Sequence, residues 1–217
     1  MRFNRTILIL LALSIALSAA CQRRPATTDA PRMNPELVLA VAPFTVPVEP
    51  SDLIAGYLPE RVTPPRADAL VTLDSILAQS LGAAQGRNMV SADMVASCMK
   101  GIRRPAEANR LSTLKYWQEV GKCAGAQFLL VPMAAHWKER EGSAAGSTSP
   151  AWVILDLYLL NVKTGGMAGH FRYDYQQKAL TDNILEADKF FKRRGQWVTA
   201  ADLAREGIDK GLKELGL

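Results

Sequence analysis

Apolar and polar positions along this chain fall into three patterns: one long apolar run near the N-terminus, segments with three-to-four spacing, and segments that alternate. After the first run comes a polar stretch with Pro25, Pro31 and Pro35. Leu37 to Phe44 is then almost continuously apolar and bounded by prolines, which predicts a strand buried on both faces. The segment from Pro47 to Pro65 carries five prolines and Gly56, so it reads as a long loop. Loops of that length are often functional, which makes this one either a contact surface or a cover for the sheet.

Helical spacing returns in Arg66 to Gln85, where Leu70, Leu73, Leu77 and Leu81 recur with Ile76 beside them. Arg87 to Val90 suits a short strand, and Ser91 to Met99 a short helix carrying Cys98. A second full helix is predicted from Pro105 to Cys123, with Leu111, Leu114, Trp117 and Gly121 as its inner stripe and Gly125 as its stop. Three strands follow: Gln127 to Trp137, Ala151 to Asn161 and Met167 to Gln176. In the second, Val153, Leu155, Leu157 and Leu159 share one face, while Trp152, Ile154, Asp156, Tyr158 and Leu160 share the other. In the third, Phe171, Tyr173 and Tyr175 alternate with His170, Arg172 and Asp174. Lys163-Thr164-Gly165-Gly166 reads as a hairpin turn, and Lys138 to Pro150, rich in Gly, Ser and Ala, as a mobile hairpin loop.

Two helices close the chain. Thr181 or Asp182 caps one that runs to Phe191, and Arg193-Arg194-Gly195 breaks it. Thr199 caps the last, with Asp202 three places on and Leu203, Ile208, Leu212 and Leu215 as the buried stripe. The order β-α-(β)-α-β-β-β-α-α predicts an α+β fold: a mixed sheet of four to five strands with helices packed on it, in one domain spanning 37–217.

Composition adds limits. The chain has 217 residues, 48% of them apolar and 22% charged, which fits one globular domain and excludes a disordered chain. Its net charge of +5 falls to +3 once Arg2 and Arg5 of the N-terminal segment are set aside. Arg23-Arg24, Arg103-Arg104 and Lys192-Arg193-Arg194 are the densest basic clusters. None has interleaved aromatics, so they read as solvated faces, and no nucleic-acid partner is implied.

The N-terminus has the parts of an export signal: Arg2 and Arg5, an apolar core from Ile7 to Leu17, then small residues before Cys21. The core is short for a membrane-spanning helix. Ser18-Ala19-Ala20 also suits an ordinary small-x-small cleavage site, and a retained signal anchor is the other alternative. Leu17-Ser18-Ala19-Ala20-Cys21 resembles a bacterial lipobox, with its large apolar residue four places before the cysteine instead of three. That resemblance implies removal of residues 1–20 and acylation of Cys21, with palmitate among the chains. A tether over 21–36 would then link lipid to domain. It also implies attachment to the bilayer through Cys21, each buried methylene contributing about 0.8 kcal/mol. Gln22, in place of Asp, implies the outer membrane, periplasmic face, by the sorting pattern of Gram-negative lipoproteins.

With Cys21 acylated, Cys98 and Cys123 remain as an even pair in an oxidising compartment. They read as a disulfide closing a loop of about 25 residues and contributing about 3 kcal/mol, or else as two buried thiols.

The element order resembles the small periplasmic lipoprotein domains of the curli-secretion lipoprotein and the penicillin-binding-protein activator lipoproteins. The lipobox, the early strand ending Ala42-Pro43-Phe44, and Gly125-Ala126-Gln127-Phe128-Leu129-Leu130-Val131 carry that resemblance. A pore would need membrane-crossing strands of about nine to eleven residues, and Lys138 to Pro150 is too short and polar for that.

Chemistry is sparse. His136 and His170 sit on predicted strands without a Gly-x-Ser-x-Gly elbow, and read as hydrogen-bonded structural residues. Glu139 and Glu141 lie in or beside the mobile loop and cannot hold a fixed acid–base distance to Asp156. Asp156 suits a cross-strand ion pair with Arg172, contributing up to about 1 kcal/mol. No Cys/His spacing implies a metal, and no motif implies a cofactor. Aromatics near strand ends or loops are the remaining signal. Tyr57, Tyr173, Tyr175 and Trp197 are the candidate interface residues, and Trp117 reads as core.

The expectation is a non-enzymatic, membrane-anchored lipoprotein that docks another envelope protein. The alternatives are a periplasmic small-molecule or glycan binding module using the Pro47 to Pro65 loop as a lid, and, behind it, an envelope hydrolase.

Overall fold

The computed structural model describes residues 32–82, 86–106, 109–143, 147–177 and 197–217. The expected acylation site Cys21, the expected export signal, most of the expected tether and the helix expected up to Phe191 lie outside these residues.

β5 (Trp152–Asn161) is the centre of the molecule. Its ten residues run almost wholly buried between β2 (Phe128–Lys138) and β6 (Gly166–Gln176), antiparallel to both. β1 (Leu39–Val41) joins the far side of β2 in parallel, giving the order β1-β2-β5-β6. The fold is mixed α+β in one domain, with four helices among the described residues.

β1 is shorter than the apolar run suggested. Val41 pairs with Leu130, but the next bridge joins Thr45 to Met133, so one extra residue is accommodated on the β1 side. Pro43 and Pro132 lie within this slip, and neither has an N–H to offer a ladder. The Phe44 amide donates instead to Asp74 Oδ1 at 2.7 Å. Leu39 and Ala40 are both fully buried and face opposite cores, as expected for a strand covered on both sides. The short strand expected at Arg87 to Val90 is a single parallel bridge, Met89 to Leu39.

The alternation in β5 divides those cores. Val153, Leu155, Leu157 and Leu159 pack under α1 (Ala67–Gly82) and α4 (Ala200–Glu214). Tyr158 and Leu160 pack under α2 (Ala92–Gly101) and α3 (Arg110–Cys123). The Pro47 to Pro65 segment is a strap over this second face: Leu53 and Ile54 are buried in its core, and the strap includes one turn of 3₁₀ helix at Pro50–Asp52.

α4 begins as its sequence indicated, with Thr199 and Asp202 forming a reciprocal capping box. α3 starts five residues later than the apolar spacing implied, because Asn109 and Ser112 make a second capping box. Its buried stripe is Thr113, Tyr116, Trp117, Val120 and Gly121, which leaves Leu111 60% exposed. The region expected as a mobile loop contains a small ribbon, β3 (Glu141–Gly142) paired with β4 (Ser147–Ser149).

α4 approaches the sheet closely through two glycines. A methyl on Gly211 would stand 2.6 Å from both Leu157 Cδ1 and Phe171 Cδ1, and one on Gly207 would stand 2.6 Å from the Tyr173 ring. Gly211→Ala is therefore expected to lower stability by about 1–2 kcal/mol, although alanine is the better helix former by about 1 kcal/mol. At Gly101 a methyl meets nothing within 4 Å. In denaturant titrations of the two variants, Gly101→Ala should be neutral or stabilising where Gly211→Ala is destabilising.

Candidate functional site

Cross-strand register builds the most polar site on the strap-covered face. Asp156 lies opposite Arg172, and Tyr158 opposite His170. Asp156 is fully buried. Its Oδ2 accepts from Arg172 Nη1 at 2.7 Å, and its Oδ1 lies 2.8 Å from His170 Nε2. The His170 ring lies flat on Tyr158, with 4.5 Å between centroids and 11° between planes. The expected ion pair is thus half of a three-residue network, and His170 is the part that pair reasoning missed. Alternation had already placed His170 and Arg172 on the face opposite Phe171 and Tyr173.

The strap closes over this network. The Tyr158 hydroxyl donates to Ala55 O at 2.7 Å, and Arg110 of α3 donates to Gly56 O. Gly56 has φ +85°, a conformation that favours glycine, and a Cβ there would sit within 4 Å of Arg172, His170 and Asp156. Tyr57 follows, 59% exposed, with its ring 4.5 Å from the Arg172 guanidinium carbon. Burial first, and then the charge of Asp156, push the Tyr158 phenol well above the ordinary tyrosine value. It is a fixed hydroxyl, not a nucleophile.

At the strap's other end, His136 is buried, and its Nδ1 accepts from the Thr63 amide at 2.7 Å. Its ring packs against Trp152, whose Nε1 donates to Asp174 Oδ1 at 2.9 Å.

Asp156 meets His170 through Nε2, the nitrogen that faces the nucleophile in a serine-protease triad, and is also held by Arg172. Glu139 accepts from the Ala200 amide at the start of α4, and Glu141 lies in the ribbon, so neither joins Asp156. Among the described residues no group of three or more His, Cys, Asp or Glu stands close enough to hold a metal. Beneath the first part of the strap lies a cavity of about 80 Å³, lined by Val46, Asp52, Arg104, Tyr116, Trp117 and Met133. Small-molecule sites typically enclose about 300–1,000 Å³, so this one has room for a single small side chain.

Of the four aromatic residues singled out in the sequence, Tyr173 and Tyr175 stack with 5.8 Å between ring centroids, and Tyr57 lies on the other face of the sheet. Tyr57 stands on the strap. Tyr173 is 7% exposed and packed under α4, which makes it a core residue. Tyr175, half-buried, is on Tyr173's side of the sheet, opposite to Tyr57. Trp197, also half-buried, precedes the α4 cap, and its carbonyl accepts from Arg140. The exposed large apolar side chains are spread over the described residues: Val48 and Tyr57 on the strap, Leu111 on α3 and Met94 on α2, with Val71 on α1, Met89 before α2 and Met167 on β6. Cys98 and Cys123 are joined as a disulfide, with 5.8 Å between their Cα atoms, tying the end of α2 to the end of α3.

No family model matches the chain, and no curated protein matches it. Solved structures do. A PelC dodecamer from Paraburkholderia phytofirmans is 15% identical with a TM-score of 0.46, over 87% of this chain and 94% of that one. The LpoB C-terminal domain from Escherichia coli is 16% identical at 0.38, over 75% and 94%. Lipoprotein GNA1162 from Neisseria meningitidis is 11% identical at 0.41, over 73% and 99%. These are distant likenesses, and none places the chain in a family.

Proposed function

We propose that this chain is a lipid-anchored envelope protein without catalytic activity, which docks another envelope protein through its strap face. The anchor is Cys21 acylated on the periplasmic side of the outer membrane, with 21–36 as tether and 37–217 as the docking body. One observation supports the docking role: from Leu53 to Tyr57 the strap is filled from below, and the cavity under its first part is only about 80 Å³. Leu53 and Ile54 plug the core, Asp156 is bonded by both His170 and Arg172, and Tyr57 is held outward on Arg172. A lid over a ligand would have space beneath it. A strap tied from below that holds an exposed tyrosine over an arginine suits a protein contact, since Tyr and Arg are favoured interface anchors.

A photo-reactive phenylalanine analogue in place of Tyr57, activated in intact cells, should crosslink to an envelope protein. Tyr57→Ala should weaken that partner's binding by about tenfold or more, while Tyr57→Phe keeps the ring over Arg172 and retains binding. If Tyr57→Ala binds as wild type, the strap is not the docking face. Cys21→Ser should move the protein to the soluble fraction with its unfolding midpoint unchanged. Cys21→Ser that stays with the membrane removes the anchor from the proposal.

A further inference from the structure

The C-terminal end of the strap is fastened to β2 by two adjacent hydrogen bonds of different character. Trp137 N–H donates to Thr63 O at 2.8 Å, a backbone pair that no change of pH alters. Thr63 N–H donates to His136 Nδ1 at 2.7 Å, a bond that needs a bare nitrogen. This pairing assigns the neutral ring with its proton on Nε2. The ring is 3% exposed, so it has little water to turn towards. A proton added at Nδ1 would set two donors against each other and turn the bond into a repulsion.

We propose that His136 is an acid-sensitive latch: proton uptake at Nδ1 breaks the bond from the Thr63 amide and loosens residues 58–64 at the edge of the second core, with the Trp137 N–H to Thr63 O bond and the rest of the strap left in place. The earlier ties are of other kinds. Ala55 O takes the Tyr158 hydroxyl, Gly56 O takes Arg110, and Tyr57 lies on Arg172. None requires a neutral imidazole, and Tyr158 keeps its proton.

The charged groups acting on the ring are Asp174 of β6, across β5 from the ring, and Lys138, two residues along its own strand β2. The strap and β5 present Thr63 and Trp152, neither of which titrates. Burial holds His136 below the ordinary histidine value, with Asp174 opposing and Lys138 adding to it. The sign follows: the closed latch prefers the neutral ring. It is fully favoured above about pH 6.5, weakens below that, and has lost this contribution once the pH passes below the depressed folded value. The latch is independent of the docking role, because its opening is read on the protein alone.

The test is amide hydrogen exchange on the chain purified from cells, between about pH 8 and pH 5, corrected for intrinsic exchange rates. Protection of the Thr63 amide should fall by up to about tenfold per pH unit below about 6.5. Protection of Ala134, whose N–H is bound to Thr45 O, should hold. In His136→Asn the side-chain oxygen can still accept from Thr63 but does not titrate, so the fall should vanish. A flat Thr63 profile in the wild type, an equal fall at Ala134, or a fall that persists in His136→Asn each overturns the latch. Should His136→Asn not fold, the imidazole nitrogen shifts of the wild type decide. A proton on Nε2 at neutral pH upholds the proposal, and a proton on Nδ1 overturns it.

Discussion

Asp156→Ala is expected to cost about 3–5 kcal/mol of folding stability, the usual loss when one partner is removed from a buried ion pair. Asp156 is fully buried and is the hydrogen-bonded acceptor for both Arg172 and His170. Among the described residues, Arg172's buried Nε and Nη2 have no hydrogen-bond partner. Without the carboxylate, the guanidinium would keep the Tyr57 ring but lose its ion pair. Most of the loss is the cost of stranding that charge, not the intrinsic value of the pair. Asp156→Ala with Arg172→Met should therefore recover much of the stability. Denaturant midpoints at constant slope measure both effects. A single-variant cost below about 1 kcal/mol would show that the network is solvated and that the strap does not seal it.

Loss of the Cys98–Cys123 bond is expected to cost about 3 kcal/mol, from the chain entropy returned to a loop of 25 residues. The damage should be local at first. α2 buries only Val95 and Cys98, so the bond to α3 is a large part of what holds it. Cys98→Ser with Cys123→Ser should lower the unfolding midpoint and raise hydrogen exchange in α2 before exchange in β5. Equal midpoints for the oxidised protein and the double variant would contradict this.

Much of the architecture was legible because it depends on short-range pattern. The alternation in β5 named the residues of each core, and the alternation in β6 put His170 and Arg172 together on the opposite face from Tyr173. Thr199 and Asp202 marked the start of α4 because a capping box spans only four residues. Errors came where a distant partner decides the outcome. Leu111 fits a helical stripe, but the orientation of α3 is set by Thr113 on the strap carbonyl Ser51 O and by Gly121 against Val162, so Leu111 points outward. Tyr173 looked like an interface residue from its neighbours in sequence. It is core because Gly207, more than thirty residues later, lets α4 settle on its ring.

The candidate site divides in the same way. Asp156 and Arg172 can be paired from strand register, because residues two apart on a strand share a face. Nothing local says that Gly56 passes over them, or that Thr63 reaches His136 across 73 positions. By itself the sequence determined which side chains line each face of the sheet, because that depends only on the two-residue period of a strand. Tertiary structure decided which of those faces is closed, and by what. A strap has no periodicity to read, and its course depends on where a glycine, a tyrosine and a backbone amide find partners elsewhere in the fold.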